Sequence, residues 1–534
     1  MKGELTSIIE GNRRTFKFHI ARLAVFTGLQ ALLTMVNAQP PVAWQKLLGG
    51  SMDDKVFSFC ISNDQSYIIA ATTESMNGDL STGFGASDIW IFKLSEDGEI
   101  VWQKRIGGTG VDVVSKIRKT NDGGLILVGN TFSTDGIGVG NHGSSDILIV
   151  KLNSTGNIQW QKLLGGVNND YGHDILQCSD GSFLAVGGSC CHFGDDEYFQ
   201  GEEFWAARVN TNGLLEWEKT FGGNLGDRAY SVAENQAGNF WITGNSDSYL
   251  GQVTNNFGGD DVWVIEISKQ GNLLQQRTFG GSGIEYLSYL QIDNAGGYYL
   301  LTSTKSVDGD VSGQHGHFDL WLSKISDSDE ILWQKCLGGS DADYASSLAL
   351  AHDGAILVSA WTYSSDGDLV ENHGDADAWL AKLNSNGELV WSKTFGGSEF
   401  ETFYSFQEVS NETFLAAGVS NSMNGDLGSG HGKADAWIMK LSDVSSVQHD
   451  AVEPNFKELK VYPNPANCYI KIELPAGIIP NLAYISDLLG RVEYNLGGKY
   501  SQPIDISRLT EGLHFVKMQD NAGKTYMGKF FKMH

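Results

Sequence analysis

The sequence predicts an all-β chain: a seven-bladed β-propeller with four strands per blade, followed by a small β-sandwich. Three observations predict the propeller. A Trp-Gln-Lys-like stretch ending in Gly-Gly recurs along the chain at a nearly constant spacing. Each period holds four short apolar segments separated by turn residues, and the two ends of the repeat region are complementary. A fixed period of this length indicates a repeat array, and four strands per repeat are typical of a propeller blade.

The recurring stretch is clearest where it reads Trp102-Gln103-Lys104-Arg105-Ile106-Gly107-Gly108. Successive copies are separated by 58, 58, 57, 58, 58 and 58 residues. A solenoid coil is shorter than this, so the spacing favours blades over a β-helix. The first position of the stretch is occupied by Trp44, Trp102, Trp160, Trp217, Gln275, Trp333 and Trp391.

Four strands can be placed in each period, and we name them A, B, C and D. Strand A starts at an acidic residue after Gly-Gly, and strand B follows a tight turn, as in Leu125 to Thr131. Strand C follows a long polar loop and starts acidic-apolar-Trp, as in Asp88 to Leu94; strand D is the Trp stretch itself. The near-continuous apolar runs suit sheets that are buried on both faces, as stacked blades are.

The ends of the repeat region predict how the ring closes. The region begins with a lone strand D, Trp44 to Leu48, and finishes with an A-B-C set, Glu401 to Leu441, that no strand D follows. An open array would leave both ends as exposed edges, which proteins avoid. We therefore expect the N-terminal strand to complete the last blade.

Composition limits the function classes. The chain has 534 residues, a formal net charge of −27, 66 Gly and only 8 Pro, which fits a globular protein rich in tight turns. The negative charge repels nucleic acid and anionic membrane surfaces, so we expect no nucleic-acid partner. The six cysteines follow no metal-ligand spacing, and we expect isolated thiols; a bond from Cys178 to Cys190 or Cys191 stays open.

Outside the repeats, three further segments are predicted. Residues 1–38 resemble a secretory signal, with basic residues, an apolar core from Leu23 to Val36 and a small residue at Ala38. The propeller spans 40–442, residues 443–457 form a linker, and 458–534 form a separate domain. Seven strand-like runs in this last segment predict a β-sandwich. No other apolar run reaches about 18 residues, so no transmembrane segment is expected.

The last segment resembles the type A C-terminal sorting domain of the Bacteroidota type IX secretion system. The resemblance rests on Val461-Tyr462-Pro463-Asn464-Pro465-Ala466, on Asp487-Leu488-Leu489-Gly490-Arg491, on Ile504 to Leu509 and on Glu511-Gly512-Leu513 onward. It implies an immunoglobulin-like sandwich that the secretion machinery reads, and a secreted or outer-surface location reached through the periplasm. The propeller repeat also resembles repeats common in such cargo, which implies no defined activity. The residues that carry the sorting motif are Tyr462, Pro463, Asn464, Pro465, Gly490, Arg491 and Gly512.

One carboxylate recurs at the start of every strand A. In a propeller the D–A and B–C loops lie on one face, so we expect the seven side chains around one mouth of the central channel. They could bind a cation or an amine there. They could equally accept backbone N–H bonds from their own loops, and repetition favours that structural role. The set is Asp54, Asp112, Asp170, Asp227, Glu285, Asp343 and Glu401.

Calcium is the one cofactor that the sequence raises, and otherwise we expect none. Several B–C loops carry closely spaced carboxylate and amide oxygens, as in Asn77-Gly78-Asp79 and Asp308-Gly309-Asp310. Such oxygens are Ca²⁺ ligands, but the spacing does not match the twelve-residue Ca²⁺ loop, and an Asx-supported turn explains the same residues.

Two functions follow as hypotheses. The first is a non-enzymatic secreted or surface protein whose propeller binds an unidentified glycan or protein. The second is a polysaccharide hydrolase or lyase that uses carboxylates on the acidic loop face, with the irregular region of blades 3 and 4 as its best location. That region departs from the repeat and carries Asp195, Asp196, Glu197 and Glu202. No nucleophile-elbow, zinc-protease or phosphate-loop motif is present.

Overall fold

A computed structural model describes residues 40–533, apart from 81–82, 191–200, 294–295, 370, 429, 443–455, 475–479, 487–491, 497–501 and 521–524. The chain divides into two compact units at residues 446/447. The proposed signal segment 1–38 and most of the proposed linker lie outside the described residues.

The first unit consists, within the described residues, of seven four-stranded antiparallel sheets, which confirms the predicted propeller. In blades 1 to 6, strands A to D follow one another in the chain, and in all seven blades they pair in the order A-B-C-D. One 3₁₀ turn, Gly136–Gly138, lies in the B–C loop of blade 2.

The strands of each blade are given in the order A to D. Blade 1 is β2 Asp54–Ile61, β3 Tyr67–Thr73, β4 Asp88–Leu94 and β5 Ile100–Ile106; blade 2 is β6 Asp112–Lys119, β7 Leu125–Thr131, β8 Asp146–Leu152 and β9 Ile158–Leu164; blade 3 is β10 Asp170–Gln177, β11 Phe183–Cys190, β12 Glu202–Val209 and β13 Leu215–Phe221. Blade 4 is β14 Asp227–Glu234, β15 Phe240–Ser246, β16 Asp261–Ile267 and β17 Leu273–Phe279; blade 5 is β18 Glu285–Ile292, β19 Tyr298–Thr304, β20 Asp319–Ile325 and β21 Ile331–Leu337; blade 6 is β22 Asp343–Leu350, β23 Ile356–Thr362, β24 Asp377–Leu383 and β25 Leu389–Phe395; blade 7 is β26 Glu401–Ser410, β27 Thr413–Ser420, β28 Asp435–Ser442 and β1 Val42–Leu48.

The ring closes as predicted, because β1 is the fourth strand of blade 7. It pairs antiparallel with β28, with Trp44 opposite Lys440 and Leu48 opposite Ala436. Gln45 reinforces the closure: its Oε1 accepts the Trp437 indole N–H at 3.2 Å, and its Nε2 donates to the Asp426 carbonyl at 2.6 Å. The outer edge of β28 is therefore covered.

Strand A lies innermost in every blade. Each strand A contacts the strands A of the neighbouring blades, whereas strand D pairs only with strand C of its own sheet. Strands B are the most deeply buried, and every residue of β7, β15 and β19 is buried. The apolar core therefore lies between successive blades, and residues of strand A line the central channel.

The repeated Trp of strand D joins blades 7, 2 and 3 to the blade that follows each of them. The Trp44 indole N–H donates to the Glu96 carbonyl, in the C–D turn of blade 1, at 3.0 Å. Trp160 and Trp217 make the same bond one blade further on, to Thr211 and Lys269. The recurring basic residue two positions later supports the same turn in blade 1, where Lys46 pairs with Glu99 at 2.8 Å. These contacts explain why the Trp position and the basic position two residues later recur along the repeats.

Cysteine chemistry does not stabilise the described part of the ring. Cys60, Cys178 and Cys336 are buried free thiols, so Cys178 is not in a disulfide. Burial raises the pKa of Cys60 and Cys336 to about 12. Cys191 lies outside the described residues.

The second unit has two sheets around a common apolar cluster that includes Ile470, Ile485 and Phe530. One sheet has the order β29-β36-β35-β32-β33 and the other has the order β30-β31-β34. Strand β29 begins in the segment expected to be linker and ends at the first residue of the expected domain. It is three residues long and depends on parallel pairing with the distant β36, which no local pattern reveals. The strands are β29 Phe456–Glu458, β30 Lys460–Tyr462, β31 Tyr469–Glu473, β32 Pro480–Ser486, β33 Val492–Asn495, β34 Ile504–Asp505, β35 Gly512–Asp520 and β36 Thr525–Lys532.

Candidate functional site

The seven repeated carboxylates at the start of strands A are buried, and each is at most 1% exposed. Asp343 shows their environment. Its Oδ2 accepts the Gly339 N–H at 2.9 Å and the Ser364 hydroxyl at 3.0 Å, and its Oδ1 accepts the Thr362 hydroxyl. The carboxylate thus joins the D–A loop to the end of strand B and the B–C loop.

This arrangement repeats around the ring. In all seven blades the carboxylate accepts the N–H of the second glycine of the preceding Gly-Gly pair. Burial raises the pKa of Asp54 and Asp112, and it raises those of Asp227 and Asp343 to about 6. This geometry fits a structural role for the carboxylates, as acceptors of N–H bonds from their own loops. A ligand role for Asp54, Asp112, Asp170, Asp227, Glu285, Asp343 and Glu401 stays a prediction.

The B–C loop oxygens considered for Ca²⁺ also bind the neighbouring D–A loop. Asp308 Oδ1 accepts the Ser282 N–H at 2.7 Å, and Asp366 Oδ1 accepts the Ser340 N–H at 2.8 Å. In the part of the chain that the structure describes, no group of three or more His, Cys, Asp or Glu side chains is arranged to hold a metal ion. The oxygens of Asp308 and Asp366 that could bind Ca²⁺ therefore already accept hydrogen bonds within the turns.

A different set of polar residues gathers in a cavity of about 410 Å³ on the D–A and B–C side of blades 3 to 5. Strands A of blades 4 and 5 provide inner walls, and the ends of strands B and the starts of strands C provide the rest. We call this cavity the mouth pocket. Its lining residues are Glu202, Gly226, Asp227, Arg228, Tyr230, Asn245, Asp247, Asp260 and Tyr286.

One ion pair crosses the mouth pocket between blades. Both Nε and Nη2 of Arg228, on β14, contact Glu202 Oε2, at the start of β12. The guanidinium also lies at the hydroxyl of Tyr230, whose pKa burial raises. The Tyr230 ring packs against His173, with ring centroids 5.1 Å apart, and burial lowers the pKa of His173 to about 4. Glu202 is therefore neutralised by an arginine from the next blade.

Two further carboxylates in the mouth pocket have no such partner. Burial and the neighbouring Asp247 raise the pKa of Asp260, and Arg228 opposes the shift. Asp247 Oδ1 is buried without a hydrogen-bond partner among the described residues. The same holds for Oδ1 of Asn245, a side chain that is only 7% exposed and whose Nδ2 donates to the Glu285 carbonyl at 2.6 Å. The mouth pocket thus presents acceptors that still lack donors.

Glu202 and Asp227 were among the residues singled out in the sequence, but Arg228, Asp247 and Asp260 were not, because they do not belong to the repeated pattern. The position before the strand-C acid is acidic only in blades 3 and 4, at Glu202 and Asp260; elsewhere it is Ser, Phe or Ala. The position of Arg228 is held in other blades by Lys, Val, Tyr or Thr. An alignment of the seven repeats shows these positions, because their charged residues occur in only one or two blades.

The residues suggested for a hydrolase are only partly within the described structure. Glu202 lies in the mouth pocket, paired with Arg228. Asp195, Asp196 and Glu197 lie outside the described residues. Within the mouth pocket, Glu202, Asp247 and Asp260 are the non-repeated carboxylates that could supply a pair for hydrolysis.

The sorting-motif residues of the second unit have defined structural roles where they are described. Asn464 holds the motif against β36: its Oδ1 accepts the Phe531 N–H at 2.9 Å, and its Nδ2 donates to the Lys529 carbonyl at 3.2 Å. Tyr462, Pro463 and Pro465 are exposed beside it, and Gly512 starts β35. Gly490 and Arg491 lie outside the described residues.

Comparison with known proteins identifies this second unit. Residues 460–532 match the family model described as secretion system C-terminal sorting domain. No curated protein matches the chain. None of the described segments forms a helix long and apolar enough to cross a membrane.

Solved structures similar to the chain include propellers and are distant in sequence. A protein of unknown function from Bacteroides caccae is 14% identical, with 58% of this chain and 92% of that chain covered and a TM-score of 0.35. A protein of unknown function from Dyadobacter fermentans is 9% identical over 76% and 99%, with a TM-score of 0.38. The Pan2 WD40 domain of Neurospora crassa is 10% identical over 74% and 95%, with a TM-score of 0.40. The chain is a seven-bladed propeller protein that carries a type IX C-terminal sorting domain and is exported across the outer membrane.

Proposed function

We propose that the exported propeller is a non-enzymatic binding module and that the mouth pocket is its ligand site. One observation carries this proposal: the seven repeated carboxylates are buried in turn hydrogen bonds, whereas Glu202, Arg228 and Asp260, whose charges occur in only one or two blades at their repeat positions, line the mouth pocket. A residue that serves the fold of a blade recurs with the blade, while a residue that serves a ligand is needed once. A cavity of about 410 Å³ is within the usual range for small-ligand sites.

The lining suits a polar ligand such as a glycan or a protein side chain. Carboxylates, an amide and an arginine provide hydrogen-bond partners of both kinds. Tyr230 and Tyr286 add aromatic faces, and Tyr286 is 42% exposed. Tyrosine combines apolar contact area with a polar hydroxyl, which is why it is frequent in binding sites.

Binding of the full mature chain to a broad array of glycans, and to surface extracts of the producing bacterium, tests the proposal. Tyr286→Ala removes an aromatic wall of the mouth pocket. Tyr249→Ala is the matched control, because Tyr249 is an exposed tyrosine on the B–C loop of blade 4 that does not line the cavity. We expect a specific ligand whose binding is lost in the first variant and kept in the second. A ligand that binds both variants as well as the wild type would place the site elsewhere and refute the proposal.

A polysaccharide hydrolase or lyase is the second candidate, and one observation favours it. Burial and the neighbouring Asp247 raise the pKa of Asp260, and glycoside hydrolysis needs one carboxyl group that stays protonated beside a second carboxyl group. Release of reducing ends from a polysaccharide by the wild type, abolished in Asp260→Asn, would replace the binding proposal with this one.

A further inference from the structure

The mouth pocket contains more carboxylates than basic side chains. Besides the repeated acid Asp227, the mouth pocket is lined by the carboxylates Glu202, Asp247 and Asp260. Of these three, only Glu202 forms an ion pair in the described part of the chain, through both guanidinium contacts from Arg228. Asp247 and Asp260 form no ion pair in the described part of the chain, and they lie close enough for one to raise the pKa of the other. Two like charges in a partly buried site are most stable when a cation lies between them.

The unpaired atoms of the mouth pocket are hydrogen-bond acceptors. Asn245 Oδ1 and Asp247 Oδ1 are both buried and both without a donor among the described residues. A buried acceptor without a donor costs free energy, so a ligand that supplies donors at these positions recovers that cost. Asn245 is the stronger indication, because its side chain is 7% exposed and its amide is fixed by the bond to Glu285.

The walls of the mouth pocket favour an organic cation over a metal ion. The cavity of about 410 Å³ is far larger than one ion requires, and two of its walls are tyrosine rings. Ammonium and guanidinium groups are attracted to aromatic faces and donate several N–H bonds, whereas a metal ion donates none.

From these observations we infer that the mouth pocket binds an organic cation with N–H donors, a primary ammonium or a guanidinium, between Asp247 and Asp260. The cationic group donates to Asp247 and Asn245, while the rest of the ligand packs on Tyr230 and Tyr286. An amino sugar and a lysine or arginine side chain share this chemistry. The inference rests on the proposed binding function and names its ligand class.

Calorimetric titration of the full mature chain with matched pairs of probes tests the inference. The amino-sugar arm compares a glucosamine oligomer with its N-acetylated form, and the peptide arm compares a lysine-containing tripeptide with its Nε-acetylated form. Acetylation keeps the shape but removes the charge and most of the N–H donors. We expect one of the two arms to show binding of the charged probe alone, which also identifies the source of the cation.

Two isosteric variants locate the site. Asp260→Asn and Asp247→Asn remove one charge each, and Asp341→Asn, an exposed acid of the D–A loop of blade 6, is the control. We expect the first two variants to weaken binding of the charged probe about tenfold or more and the control to leave it unchanged. Unchanged melting temperatures of all three variants show that a loss of binding is not a loss of fold.

Several results would overturn the inference. They are equal binding of acetylated and charged probes, unchanged affinity in Asp260→Asn and Asp247→Asn, absence of binding in both arms, or saturable binding of Ca²⁺ alone that the Asp260→Asn variant abolishes. A neutral glycan that requires Tyr286 but not Asp260 would also reject the cation while leaving the proposed binding function intact.

Discussion

The buried carboxylate of strand A should be one of the most sensitive single positions of each blade. In blade 6, replacing Asp343 by Ala leaves the Gly339 N–H and the hydroxyls of Thr362 and Ser364 without their acceptor. A buried donor left unsatisfied costs roughly 1–3 kcal/mol. Water entering the space can satisfy one or two of the three, so we expect Asp343→Ala to lower the free energy of unfolding by about 3 kcal/mol.

Urea unfolding followed by tryptophan fluorescence measures this loss, because several tryptophans of strand C are fully buried between blades. The control is Asp375→Ala, an exposed acid in the same blade, which we expect to change the free energy of unfolding by less than about 0.5 kcal/mol. If Asp343→Ala costs no more than Asp375→Ala, the carboxylate does not hold the two loops together. The structural interpretation of the repeated acids would then be wrong.

Three further predictions follow from the same structure. Because burial raises the folded-state pKa of Asp343 from 3.8 to about 6, protonation of this carboxyl group stabilises the folded state at low pH, and that protonation-linked part of its contribution is lost as pH rises through about 6. Asp343→Asn should therefore remove up to ~3 kcal/mol of the decline in unfolding free energy between pH 4 and pH 7, and an identical pH profile in variant and wild type would contradict this. A chain that starts after Leu48 lacks β1 and exposes the edge of β28, so it should self-associate in size-exclusion chromatography, whereas a chain that starts at Pro40 should stay as the wild type. Asn464→Ala removes both bonds between the sorting motif and β36 and should reduce export of the full chain into the medium, with the exposed Glu473→Ala as the control that keeps export.

The propeller was predictable because the strands and turns of each blade follow from patterns within its own stretch of sequence. Apolar runs, Gly-Asn-Asp turns and the spacing of the Trp stretch place every strand of the ring, and the offset between Trp44 and Glu401 predicts the closure that β1 and β28 form. The three-residue strand β29 was not predictable in this way, since it exists only through pairing with β36.

The candidate site was less predictable, for two physical reasons. The seven acids were found, but their burial depends on hydroxyls about 20 positions later, such as Thr362 and Ser364, that fold over them. The mouth pocket combines single residues from three blades, and no local pattern shows that Arg228 will reach Glu202. Only the departures from the repeat mark these positions in the sequence.

Ring closure also imposes an order on folding. Gln45 of β1 and its partner Trp437 are 392 residues apart, so β1 has nothing to pair with until almost the whole repeat region is available. The first strand of the chain is therefore the last to pair, and the ring stays open at one interface until then. Since Ser442 donates its N–H to Pro41 at 3.1 Å, the finished ring brings its two ends together at a single point. A permuted chain that starts at any other blade boundary could thus form the same ring, and removal of the segment that follows Ser442 would leave the closure intact.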